Sequence, residues 1–187
     1  MKKLFLIPLF LFLMTVTLTA QTGDVTKEPG YVDFGSFDAL QNSTKVTEIL
    51  LDEDLLSALA TISNEDDPNI MAILNGLKLV KANVFEINDE NESDLVKRID
   101  EIDSKLVKRN WKRIVKTRSD NEIANIYIKQ NSQKKIIGLV VTSFNKEDKN
   151  EAAFVNIVGT IDLATIGKLG KKFNIPTLEN VKHKKDK

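Results

Sequence analysis

Histidine, cysteine and paired carboxylates carry most of the chemistry that side chains perform unaided, and this chain of 187 residues is poor in the first two. Its single histidine is His183, inside the basic run Lys182-His183-Lys184-Lys185-Asp186-Lys187. An imidazole acts as a base only when it is held within hydrogen-bond reach of its nucleophile, and a polar terminal run gives no such hold. Histidine-based nucleophilic catalysis and histidine-ligated zinc are therefore not expected. With no cysteine at all, thiolate nucleophiles, thiolate metal sites, disulfides and redox switching are excluded by composition.

Carboxylates are plentiful, but no pair stands out as acid and base for glycoside cleavage. Most fall in polar loops such as Glu65-Asp66-Asp67 and Asp89-Glu90, where a carboxylate is simply solvated. Asp89 to Asp100 has the length of a calcium loop, with oxygens at Asp89, Asn91 and Ser93. Its sixth position is Asp94, where the turn demands glycine, so it reads as a polar loop entering a helix. No glycine-rich run precedes a Lys and a Ser or Thr, which removes the phosphate-loop reading. Asn42-Ser43-Thr44 and Asn91-Glu92-Ser93 match the glycosylation tripeptide, which has meaning only in a eukaryotic host. No catalytic, metal or cofactor residue is assigned.

Two features suit binding rather than reaction. In strand alternation Asn125 and Tyr127 point opposite to Ala124, Ile126 and Ile128; Asn156 and Thr160 share a phase on a later strand, which Thr142 could join. If helices cover the apolar side, these side chains form an open polar face. The second feature is Trp111, followed by Lys112 and Arg113, an aromatic and basic cluster suited to a phosphate or carboxylate, or else the closure of a core.

The elements that must position these residues follow from periodicity. Thr44 to Leu51 is β-branched and reads as a strand, after which Asp52 caps a helix with Leu55, Leu56, Leu59 and Ile62. A short helical turn from Asn69 ends near Gly76, and Leu77 to Ile87 is a strand. Leu95, Ile99, Ile102 and Leu106 recur at spacings of four, three and four, which defines a helix from about Ser93 to Asn110. Four strands follow at short spacing: Trp111 to Arg118, Glu122 to Gln130, Lys134 to Phe144 and Ala152 to Ile161. Asp162 then caps a last helix with Leu163, Ile166, Leu169 and Phe173. The expected fold is α+β: an antiparallel β-meander sheet with the long and terminal helices packed on one face. Tyr31 to Phe37 is either a strand or a segment laid across the domain.

The N-terminus has the three zones of a secretory signal. Lys2 and Lys3 precede the apolar run Leu4 to Leu18, and Thr19-Ala20 precedes polar Gln21, which places cleavage between Ala20 and Gln21. The run falls short of about 20 residues and contains Pro8, so a spanning anchor is not expected. The expected organisation is a signal peptide over 1–20, a flexible leader over 21–30, a single domain over 31–175 and a basic tail over 176–187. Loss of Lys2 and Lys3 leaves 25 basic against 27 acidic residues, a formal charge of −2, which gives no reason to expect nucleic-acid or anionic-membrane binding.

Trp111-Lys112-Arg113-Ile114-Val115, Ile136-Ile137-Gly138-Leu139-Val140-Val141 and Phe154-Val155-Asn156-Ile157-Val158-Gly159-Thr160-Ile161-Asp162 together resemble a family of exported bacterial domains, domain of unknown function 4252, found especially in Bacteroidetes. The resemblance spans Tyr31 to about Phe173, and Thr19-Ala20-Gln21 is similar to signal endings of those bacteria. It implies a periplasmic or secreted envelope protein and supplies no catalytic residues. Bottom-up, Gly138 suits close packing or a bulge and Gly159 suits a bend. The functional expectation is a non-enzymatic binding or accessory module whose partner is an envelope protein or small ligand. A carboxylate-dependent hydrolase and a small-ligand or lipid carrier are the alternatives.

Overall fold

A computed structural model describes residues 23–41, 45–63, 73–147 and 149–161. The expected signal peptide, the helix from Asp162, the tail with His183 and most of the turn from Asn69 lie outside the described residues. After a 3-10 turn, Val25–Lys27, come α1 (Asp38–Gln41), β1 (Val46–Asp52), α2 (Glu53–Ser63), β2 (Leu77–Glu86), α3 (Glu92–Lys108), β3 (Lys112–Arg118), β4 (Glu122–Gln130), β5 (Ile136–Asn145) and β6 (Glu151–Ile161). The strands form one sheet in the order β1-β2-β6-β5-β4-β3, antiparallel at every junction.

The fold is thus α+β. Its wiring follows from one long step. β1 and β2 pair around α2, then α3 carries the chain across the sheet to its far edge, and β3 to β6 return as a meander until β6 closes on β2. The step needs a stiff rod with one apolar stripe. The 17 residues of α3 supply it, with Leu95, Ile99, Ile102 and Leu106 fully buried. The helix ends where Asn110 adopts φ 58°, and the Trp111 amide then donates back to the Leu106 carbonyl at 3.0 Å. At the other junction, Asp52 Oδ1 accepts from the Leu55 amide at 2.9 Å, the cap expected from sequence.

The helices do not share a face. Under α3 lie Phe85, Ile123, Tyr127, Val140, Phe144, Ala152 and Phe154, joined by Val32, Phe34, Phe37 and Leu40. Leu56 and Ala60 of α2 instead pack with Leu77, Val80, Ala82, Val155 and Ile157, whose side chains leave the strands on the opposite side. The long helix covers one face as expected and α2 covers the other, while the terminal helix lies outside the described residues. The reason is visible in β6, where Ala152-Ala153-Phe154-Val155 is apolar in both phases, so both sides of the sheet require burial.

The segment before α1 is not a strand. It crosses the α3 face as an extended arm, with Phe34 and Phe37 against Phe154 and Phe37 against Phe85 at ring separations of 5.0 to 6.1 Å. Arg98 Nη1 donates to the Phe34 carbonyl at 2.7 Å and stacks over the Phe37 ring. The described part of the expected flexible leader is also held: Lys78 pairs with Glu28 at 2.5 Å, and Gly30 packs on Ile137 and Gly138 so closely that a Cβ would fall 2.1 Å from the Ile137 carbonyl oxygen.

Candidate functional site

Of the six residues expected on a partner surface, four are buried. Asn125, Tyr127 and Asn156 lie on the α3 side of the sheet, beneath the helix and the arm, with Asn156 wholly enclosed. Asn156 is a receptor for the protein's own chain. Its Oδ1 accepts from the Val32 amide at 2.8 Å, and its Nδ2 donates to the Gly30 carbonyl at 3.0 Å and the Leu139 carbonyl at 3.1 Å. Asn125 Nδ2 faces Thr142 Oγ1 at 3.4 Å, so Thr142 does join this phase, but inside the protein. The open polar face is therefore corrected: these polar groups are satisfied internally.

Trp111 closes one end of the core, its ring against Gly138, where an added Cβ would come within 2.8 Å of Cη2. Its indole N–H has no acceptor among the described residues. Thr160 is exposed and apart from the others, with its amide donating to the Gly76 carbonyl at 2.7 Å. Arg113 remains partly accessible, but its Nη1 contacts both Asp103 carboxylate oxygens, at 2.9 and 3.2 Å, and donates to the Tyr127 hydroxyl at 3.1 Å. The Tyr127 hydroxyl in turn donates to Asp103. The aromatic and basic cluster is thus a clamp between α3 and the meander.

A second pair continues that seam. Arg118 meets Asp100 through Nη1–Oδ1 at 2.6 Å and Nη2–Oδ2 at 3.1 Å. The guanidinium holds the Asp100 carboxyl below its ordinary value of 3.8, against a smaller opposing effect of burial. Because the folded-state pKa is depressed, the pair's contribution is present above the unfolded value and is lost as pH falls through the folded one. Both partners are about half exposed, so Asp100→Asn is expected to cost under about 1 kcal/mol at pH 7 and nearly nothing at pH 2. Denaturant titrations at the two pH values check this; an equal cost at both would remove the ion pair as its cause.

A cavity of about 420 Å³ lies where β1 runs into α2, lined by Asp24, Glu28, Asp52, Glu53, Asp54 and Lys78. Its carboxylates have local structural roles. Glu28 pairs with Lys78, Asp24 with Lys27, Asp52 caps α2, and Glu53 and Asp54 occupy the helix's first turn, where negative charge is favourable. The segment with the length of a calcium loop begins as a polar turn leading into α3: Asn88 Oδ1 accepts from the Glu90 and Asn91 amides, while the Asn88 amide donates to Asn91 Oδ1. Among the described residues no group of three or more acidic or histidine side chains converges as a metal site, and no helix is long and apolar enough to cross a membrane.

The two sheet edges are the accessible features that sequence reading missed. Among the described residues β1 pairs in the sheet only with β2, and β3 only with β4. β1 is seven residues with no Lys, Arg, Pro or Gly and no register shift against β2, and Leu50 projects from it 63% exposed. β3 has the devices that usually protect an edge: Lys112, Arg113, Lys116 and Arg118, and a register shift at Ile114. The alternation of β1 could not reveal this, because which strand is an edge depends on the pairing of β2 with β6, some 70 positions downstream.

A family model with the description "Domain of unknown function (DUF4252)" matches residues 38–169. No curated protein and no solved structure matches the chain.

Proposed function

The chain belongs to the DUF4252 family over residues 38–169, and on that premise we propose that it is an exported, non-enzymatic accessory module of a bacterial envelope, of the kind found in Bacteroidetes, which engages its partner by strand addition at β1. The observation that carries this reading is the β1 edge itself, an uninterrupted strand with one side unpaired in the sheet among the described residues and an exposed leucine within it. An added strand satisfies that row of backbone groups and covers Leu50 in one event. Export rests on Lys2, Lys3 and the apolar run to Leu18. The non-enzymatic reading is supported by the engagement of Asp100 with Arg118, which favours its ionised carboxylate and disfavours a proton donor there.

A photo-crosslinking residue at Leu50 in the native envelope is expected to capture a partner that the same residue at Ile62, exposed on α2, does not. Equal capture from both positions, or hydrolysis of a model substrate by the purified protein, would overturn the reading. Mass analysis of the native protein checks export, with retention of residues 1–20 counting against it.

A further inference from the structure

Resting on the strand-addition reading, we infer that the strand received at β1 is β3 of a second copy of this chain, so that copies extend one another's sheet head to tail. The two edges are opposite in chemistry. β1 exposes Glu48, Leu50 and Asp52, whereas β3 exposes Lys112, Ile114, Lys116 and Arg118. Basic side chains on an edge repel another basic edge, but they attract an acidic one.

Direction and face both permit the contact. Five antiparallel junctions separate β1 from β3, so the two strands run in opposite directions within the chain. A second copy displaced along the sheet in the same orientation therefore presents its β1 antiparallel to the first copy's β3, with the α3 sides on one side of the joint sheet. Glu48, Leu50 and Asp52 lie in the phase of Val46, which packs under α3. Lys116 and Arg118 pair with Asn125 and Ile123 and so lie on that same side. Glu48 is positioned at the edge by Asn83 Nδ2, which donates to its Oε1 at 2.8 Å.

Register follows from the charges. Setting Glu48 opposite Lys116 brings Leu50 to Ile114, the bulge residue of β3; Lys112, which pairs with Ile128, lies on the α2 side, so the charge match rests on Glu48 with Lys116. Leu50 and Ile114 are large apolar side chains exposed on the two edges, at 63% and 37%, and this alignment covers each with the other. The contact is heterologous, so it does not close on itself, and growth is open-ended.

Two edge-blocked proteins test the inference. One carries Glu48→Lys and Leu50→Lys, the other Ile114→Glu and Lys116→Glu, each checked for an intact fold by circular dichroism and a cooperative thermal transition. The parent mature chain is expected to increase in mass with concentration in sedimentation, and the apparent dissociation constant should rise about tenfold or more from low to high salt. Each blocked protein alone should be monomeric. Mixed, they present two complementary pairs of edges, the native one and the charge-reversed one, and should assemble again into alternating chains. The reciprocal swap Glu48→Lys with Lys116→Glu in one chain should restore growth.

A parent that stays monomeric, or a mixture that does not assemble while both blocked proteins are folded, would overturn the inference. A parent dimer that survives the β3 substitutions but not the β1 substitutions would overturn it too, in favour of β1 pairing with itself, and would leave strand addition standing. Leu50 crosslinks to a different protein, with no copy-to-copy product, would have the same consequence. If neither copies nor other proteins crosslink at Leu50, the strand-addition reading fails as well.

Discussion

An Asn156→Ala protein is expected to unfold with roughly 3 kcal/mol less free energy than the parent, and to do so after releasing its N-terminal arm. Three backbone groups depend on this one side chain: the Val32 amide, the Gly30 carbonyl and the Leu139 carbonyl. Alanine leaves all three without that partner in a site closed to solvent, and each buried group so abandoned costs about 1 to 3 kcal/mol. The sum is limited because the arm can lift and let water reach Val32 and Gly30, while Leu139 stays inside the sheet. For a domain of this size the loss corresponds to a midpoint lowered by about 10 °C. Amide exchange separates the two stages: Val32 should lose protection under conditions where Phe154, central in β6, keeps it. A loss below about 1 kcal/mol with Val32 still protected would show that the apolar contacts of Phe34 and Phe37 hold the arm without Asn156.

That experiment also marks where sequence reading stops. Asn156 looks like an outward-facing residue because its neighbours in alternation are apolar, yet the same pattern arises when a polar side chain is buried and hydrogen-bonded. The bonding groups come from a segment more than 120 positions away, which no local window contains. A usable signal was present: β6 is apolar in both phases around Asn156, and a strand buried on both faces has no wet side to offer. By contrast, α3 was legible because its four buried residues are a purely local pattern, and β4 was read at its observed bounds, Glu122–Gln130, because polar turns flank it. Gly138 and Gly159 were also legible as irregular points in strands, and both sit at register shifts. Their backbone partners were not, since Gly30 and Gly76 approach them from distant parts of the chain.

The edges show the same division in functional terms. Composition makes β3 basic and β1 acidic and apolar without any structure, but only the closure of β6 on β2 places them at opposite ends of one sheet. Had β1 paired inside the sheet, Leu50 would be one more core leucine. Its exposure follows from topology, and topology is set by contacts that are long-range in sequence.

The largest single-site effect is expected from Gly159→Ala, which should cost at least about 3 kcal/mol and leave little folded protein near physiological temperature. Gly159 adopts φ 131°, a conformation that costs an L side chain of order 1 to 3 kcal/mol. A Cβ there would also lie 2.4 Å from the Gly76 carbonyl oxygen and 2.6 Å from Leu77 Cα. Both contacts are backbone, so relief requires β2 and β6 to separate where their register shifts between Leu77 and Leu79. Separation in turn breaks the bond from the Thr160 amide to the Gly76 carbonyl. Gly138→Ala meets comparable crowding, 2.6 Å from Gly30 Cα and 2.8 Å from the Trp111 ring, but the arm carrying Gly30 can withdraw from the sheet. Its cost should therefore be smaller, and it should be less than additive with Asn156→Ala, because both substitutions release the same segment. Gly159→Ala has no such outlet, since its obstacle is the strand pairing that joins β1 and β2 to the meander, and its cost should add fully to that of Asn156→Ala. Denaturant midpoints of the three single and two double variants decide the point; equal costs for the two glycines would mean that the arm is as fixed as the sheet.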